Sequence, residues 1–206
     1  MDWFAYEKKA RENGYKTICG IDEAGRGPLA GPVVCAAVIM PLDKESIIEG
    51  VNDSKQLTPK VREELYDKII NKAISYSVSY IDEKIIDKIN ILNATKEGML
   101  KCVNNLAVIP DILLIDAVKL KTEIPQENII HGDELSYSIA AASILAKVSR
   151  DRYMEEMDKS FPQYNFKQHK GYATKEHISK LKEFGCCNIH RRSFIKHFIS
   201  DDGVAL

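Results

Sequence analysis

The chain reads as a mixed α/β fold with one principal domain, on three observations. Two apolar runs, residues 17–22 and 33–40, lie close together and are separated only by Gly-Arg-Gly-Pro and Ala-Gly-Pro turns. Further on, strand-like runs alternate with stretches of helical period. Finally, 206 residues with 45% hydrophobic content are enough to bury a full core.

The elements follow in order. Residues 2–14 mix aromatic and charged side chains ahead of Gly14 and predict a short helix. The runs 17–22 and 33–40 are too apolar for simple alternation, so they predict buried strands, and the short link makes them antiparallel. Thr58 and Pro59 supply a cap and a first helical residue for an amphipathic helix to about residue 71. Between residues 73 and 81, Tyr76, Val78 and Tyr80 alternate with serines, the pattern of a half-buried strand. Residues 82–89 and 91–106 predict two helices, the second interrupted by Gly98. Residues 112–115 form a short strand ending in Asp116, and another strand precedes His131, Gly132 and Asp133. Strand ends are favoured ligand positions in α/β sheets. Residues 138–157 predict a long helix stopped by Phe161, Pro162 and Tyr164, and residues 174–184 a last helix closed by Gly185. The basic tail beyond it shows no local order.

A formal net charge of -1 gives no global attraction to nucleic acid or to a membrane. Between Lys167 and Lys196, however, eight basic side chains face only Glu176 and Glu183, a local anion-binding footprint or a solvated face. The five cysteines form no disulfide framework, so a reducing compartment is expected. Cys186, Cys187, His190 and His197 invite a zinc reading, but adjacent cysteines lack the C-x-x-C spacing that serves one tetrahedral ion. The start of the chain has no signal-peptide pattern, and no run is long enough for a membrane span. A cytoplasmic, soluble monomer with no membrane partner is expected.

The chemistry concentrates at Gly20-Ile21-Asp22-Glu23-Ala24-Gly25-Arg26-Gly27-Pro28. Two adjacent acids at the end of a buried run repel each other and are costly to desolvate, so they call for metal ions or basic groups. Magnesium, a hard cation with oxygen ligands, suits them. The glycines allow a phosphate backbone close approach, and Arg26 can orient it. On the predicted helix, Ser143, Lys147 and Asp151 share one face; Lys147 and Asp151 read either as part of a site or as an intrahelical ion pair.

This stretch, together with Asp53-Ser54-Lys55, Asn90-Ile91-Leu92-Asn93-Ala94-Thr95, Leu114-Ile115-Asp116, residues 140–151 and residues 161–172, closely resembles the ribonuclease HII family over nearly the whole chain. The resemblance implies an RNase H-like mixed five-stranded sheet flanked by helices, with a basic helical carboxyl-terminal extension from about residue 160 in the same single domain. It implies hydrolysis of the phosphodiester 5' to a ribonucleotide in RNA/DNA hybrids and in duplex DNA with embedded ribonucleotides, leaving 3'-hydroxyl and 5'-phosphate ends. Two Mg2+ or Mn2+ ions would be held by four acids, mapped here to Asp22, Glu23, Asp116 and Asp151. Gly25, Arg26 and Gly27 match the segment that reads the ribose 2'-hydroxyl, and Tyr172 the aromatic that packs on the following deoxyribose. Lys55 and Asn90 resemble backbone-contacting residues. His131 and His169 are accessories or structural groups, and Arg191 and Arg192 phosphate contacts or solvated charges. Gln56, Ala117 and Ser149 depart mildly from the family pattern.

Ribonuclease HIII is the neighbouring reading, but the chain leaves no room before Asp22 for that family's added amino-terminal domain. A binding-only nucleic-acid module would be expected to show affinity without cleavage. A P-loop phosphate-transfer enzyme lacks its Gly-rich motif here.

Overall fold

The helix caps foreseen in the sequence are in place in the computed structural model, which describes residues 3–199. After α1 (Ala5–Glu12), the chain lays down β1 (Ile18–Ala24) and β2 (Val33–Ile39), then α2 (Pro59–Lys72), whose first turn is capped by the Thr58 hydroxyl. β3 (Ser75–Ile81) follows, then α3 (Glu83–Ile89), capped by Asp82, and α4 (Ile91–Asn104), which runs unbroken through Gly98. Next come β4 (Ile112–Asp116), β5 (Gln126–Ile129) and the single-turn α5 (Gly132–Leu135). The longest helix, α6 (Tyr137–Ser160), is capped by Ser136. A 3-10 turn (Pro162–Tyr164), α7 (Phe166–His169), α8 (Lys175–Phe184) and α9 (Arg192–Ile195) complete the order.

The five strands form one mixed sheet in the order β3-β2-β1-β4-β5. β1 pairs antiparallel with β2 and β2 with β3, while β4 runs parallel to both β1 and β5. Every residue of β2 is buried because helices cover both faces of the sheet. On one face Ala36 and Val38 meet Ala140, Ala141, Ile144 and Leu145 of α6; on the other Cys35, Ala37 and Ile39 meet Met99, Cys102 and Val103 of α4. The helix α6 lies so close to β1 that a Cβ at Gly20 would fall 2.1 Å from the Ser138 carbonyl carbon. Its amino terminus is also held by the buried Glu7, whose Oε1 accepts from the Ser136 hydroxyl (2.6 Å) and the Ser138 amide (2.9 Å). A carboxylate there complements the helix dipole.

The tail differs from its expected lack of order. Arg191 is fully buried, Ile195 and Ile199 pack with Leu29 and Leu181, and His190 bridges to Ala30. This order comes from partners distant in sequence, which local periodicity does not reveal. Among the described residues no helix is long and apolar enough to cross a membrane.

Candidate active site

Parallel pairing of β1 with β4 sets Ile21 opposite Ile115, so Asp22 and Asp116 stand side by side at the same ends of neighbouring strands. Asp22 is only 4% exposed, and its Oδ1 accepts from the Glu23 amide at 2.7 Å. The Asp116 Oδ1 accepts from the Gly132 amide at 2.8 Å, which ties β4 to the first turn of α5. One residue later, the buried Asp133 receives a 2.7 Å hydrogen bond from the Lys55 ammonium. Lys55 is in turn aimed by its loop: its amide donates to Asp53, and the Ser54 hydroxyl meets that of Ser143 at 2.7 Å.

These acids strain one another. Burial raises the Asp22 pKa well above the usual carboxylate range, and Glu23, Asp116 and Asp133 push it further. Burial lifts Glu23 to about 7 even though Arg26 opposes the shift from 3.5 Å. Asp116 is raised by burial and by Asp133, against the pull of the Gly132 amide. Lys55 resists desolvation and stays charged through its bond to Asp133. Glu23 Oε2 is buried with no hydrogen-bond partner. A crowd of hard oxygen donors, short of positive charge and with one orphaned oxygen, fits a divalent cation such as Mg2+ or Mn2+. Among the described residues no three such side chains form a closed cation cage.

Asp151 does not join this group. It lies on α6 about 20 Å further along the axis than Ser138, at 1.5 Å per residue. There its carboxylate is held by Lys147 at 2.7 Å and Arg62 at 3.7 Å, in a separate recess of about 340 Å³. The regular spacing of Ser143, Lys147 and Asp151 therefore resolves into a structural contact and an intrahelical ion pair. The acid that the structure brings beside Asp22 and Asp116 is Asp133. Its signal was its place just after a strand end, on a helix too short to show a period.

A second wall faces the acids' flank. Gly25 has φ +92, and a Cβ there would fall 1.9 Å from Arg150 Nε, so only glycine fits. Two buried guanidiniums clamp this loop through backbone carbonyls. Arg191 donates to Gly25, Arg26 and Gly31, and Arg150 to Ala30, Pro32 and Lys170. Arg191 is thus neither solvated nor turned toward a phosphate, whereas Arg192 is exposed. The Arg26 side chain is exposed, and a Cβ at Gly27 would lie 3.9 Å from the ring of Tyr172, itself 44% exposed. Asn90, at φ 66 on an exposed turn, uses its side chain to cap α4 through the Asn93 amide. His131 is exposed in the left-handed region beside Asp116, while His169 is buried. Ala117, next to Asp116, has φ 50, a conformation that glycine adopts with less strain.

A family model described as Ribonuclease HII matches residues 19–197. Ribonuclease HII of Acetivibrio thermocellus is 60% identical over 200 residues, covering 97% of this chain and 77% of that protein. Ribonuclease HII of Caldicellulosiruptor bescii is 55% identical, covering 97% and 96%. Among solved structures, the ribonuclease H2 from Pyrococcus horikoshii OT3 superposes with a TM-score of 0.75 at 30% identity, covering 86% of this chain and 93% of that one.

Proposed function

Because this chain belongs to the ribonuclease HII family, we propose that Asp22, Glu23, Asp116 and Asp133 carry its reaction, with Asp133 in the place that the family resemblance had given to Asp151. The chain is an endonuclease that cleaves at ribonucleotides in RNA/DNA hybrids or in ribonucleotide-containing DNA duplexes. Cleavage falls on the 5' side of the ribonucleotide and leaves 3'-hydroxyl and 5'-phosphate ends.

The observation that carries the assignment is the packing of these acids into one patch, where burial and neighbouring carboxylates raise the pKa values of Asp22, Glu23 and Asp116. Two Mg2+ or Mn2+ ions bound there would activate the attacking water and stabilise the leaving 3'-oxygen. The protein's own groups orient the acids. The Gly132 amide fixes Asp116, Lys55 fixes Asp133, and Arg26 stands against Glu23 where a phosphate can share its charge. Gly25 and Gly27 let the ribose edge approach the backbone, so the 2'-hydroxyl can be read by peptide groups, and Tyr172 offers its exposed ring to the next sugar.

The test is product mapping on duplex DNA holding one ribonucleotide, with and without magnesium, for wild type, Asp22→Asn and Asp133→Asn. Metal-dependent cleavage immediately 5' to the ribonucleotide by wild type alone is expected. Full activity in Asp133→Asn would remove that residue from the site.

A further inference from the structure

We propose that His190 and His177 form a proton-ordered relay that sets the position of Tyr172, making His177 a positioning residue for recognition of the ribonucleotide-to-deoxyribonucleotide junction. The proposal rests on the reading of Tyr172 as the group that packs on the substrate sugar.

The hydrogen bonds leave one arrangement of protons. His177 Nδ1 lies 2.9 Å from the Tyr172 carbonyl, which only accepts, so Nδ1 carries the hydrogen. Neutral His177 then has a bare Nε2, which faces His190 Nε2 at 3.0 Å. His190 must therefore donate from Nε2 and accept at Nδ1, where the Cys187 amide (2.9 Å) and thiol (3.2 Å) arrive. The relay runs from Cys187 through His190 and His177 to the Tyr172 carbonyl. Both rings are buried, and burial holds them neutral, at about 4 for His177 and about 3 for His190. A proton added to His177 would set two N-H groups head to head.

The neighbouring peptide is fixed by a third ring. His169 stacks on His177 with centroids 4.4 Å apart, accepts from the Gly171 amide at Nδ1 (3.2 Å), and donates from Nε2 to the Tyr164 carbonyl (2.8 Å). The amide of Gly171 and the carbonyl of Tyr172, on either side of the tyrosine, are thus each held by an imidazole. Gly171 carbonyl also accepts from the Leu29 amide at 2.8 Å. The tyrosine backbone is locked while its ring stays open to solvent.

The same short segment reaches the opposite wall. Arg191, adjacent to His190, holds the carbonyls of Gly25 and Arg26. Residues 187–191 therefore set both sides of the slot between the glycine loop and Tyr172, and a shift at either side changes how a sugar fits between them. Small misplacements of positioning groups are costly in rate while leaving binding largely intact.

The experiment compares kcat/KM for duplex DNA with one ribonucleotide against kcat/KM for a uniform RNA/DNA hybrid, in magnesium, below the thermal transition of each protein. His177→Asn keeps an amide donor where Nδ1 stood, whereas His177→Gln sends its amide toward His190 and leaves the Tyr172 carbonyl without it. His177→Phe keeps the stacked volume and removes both nitrogens. The ratio of the two substrates is expected to fall about tenfold in the Gln and Phe variants, mainly through kcat, and to recover in the Asn variant. In a Tyr172→Ala background, the same changes are expected to move the ratio by less than about twofold, because the two residues act as one unit. Equal losses on both substrates, or equal effects with and without Tyr172, would mark His177 as merely structural and overturn the proposal. If Tyr172→Ala lowers the ratio while Gln and Phe at position 177 do not, the relay alone is overturned. A wild-type ratio in Tyr172→Ala overturns the reading of the tyrosine and the relay with it. The Asn and Gln pair decides the matter if the Phe variant does not fold.

Discussion

Glu23→Gln should stabilise the metal-free protein at alkaline pH while abolishing cleavage. The folded Glu23 holds its proton up to about pH 7, against an ordinary value of 4.5. Between those values the folded state binds more protons than the unfolded one, so its stability is present at low pH and is lost as pH rises. At about 1.36 kcal/mol per unit, the loss by pH 8 is about 3 kcal/mol, while at pH 5 it is still under about 1 kcal/mol. Glutamine does not titrate. The stability difference between the variant and wild type should therefore move in the variant's favour by about 2 to 3 kcal/mol from pH 5 to pH 8. Thermal and urea denaturation in chelator would read this as roughly 2–4 °C per kcal/mol for a chain of this size. Added magnesium should then raise wild type more than the variant, since ligands that bind only the folded state stabilise it by mass action. A difference that stays constant from pH 5 to pH 8, or moves toward wild type, would refute the account of the acids as mutually strained.

Three further outcomes test other parts of the site. Asp133→Asn should lower cleavage by roughly 100-fold or more, the scale of losing one electrostatic group at a reacting centre, while Asp151→Asn stays within about tenfold of wild type; steady-state rates on one substrate decide, and the reverse order would restore Asp151. Arg191→Ala strips the donor from three carbonyls and should cost about 3 kcal/mol or more in urea denaturation, with Arg191→Lys recovering little because an ammonium lacks the planar fork; a loss under about 1 kcal/mol would show that the clamp bears no load. His177, lowered to about 4 from 6.5, should cost stability as pH falls through that window, because the unfolded chain takes up a proton that the folded one refuses. That loss is opposite in sign to the one at Glu23, so it is isolated by comparison with His177→Asn, whose acid profile should be flatter; an identical profile would count against a buried neutral His177.

Much of the architecture was legible because its signals are local. Thr58 with Pro59 and Thr174 with Gly185 mark helix ends through their own side chains and backbone, and the alternation around Tyr76, Val78 and Tyr80 marks β3. The pair Asp22 and Glu23 was legible for the same reason, as adjacent acids at the end of a buried strand. Asp133 was harder to see. It stands on the four-residue α5 and joins the site only because Asp116 accepts from Gly132 across the strand end. The helical spacing of Ser143, Lys147 and Asp151 was real, but a period of four says only that side chains share a face. What each side chain on that face meets is decided by how α6 packs on the sheet: Ser143 meets Ser54 beside Lys55, whereas Asp151 pairs with Lys147 and Arg62.

The basic tail shows how composition can mislead about the use of charge. Its eight basic residues suggest a surface for phosphates, yet Arg191 spends its whole guanidinium on carbonyls inside the protein, and Lys170 and Lys180 pair with Glu155 and Glu183. A cation turned inward can still serve recognition by holding the loop that touches substrate. Arg191 does so for Gly25 and Arg26, one residue from the histidine that leads to Tyr172. Substitutions at His190 or Arg191 should therefore change which ribonucleotide contexts are cut more than they change the salt dependence of binding, since only outward cations release counterions from a phosphate backbone.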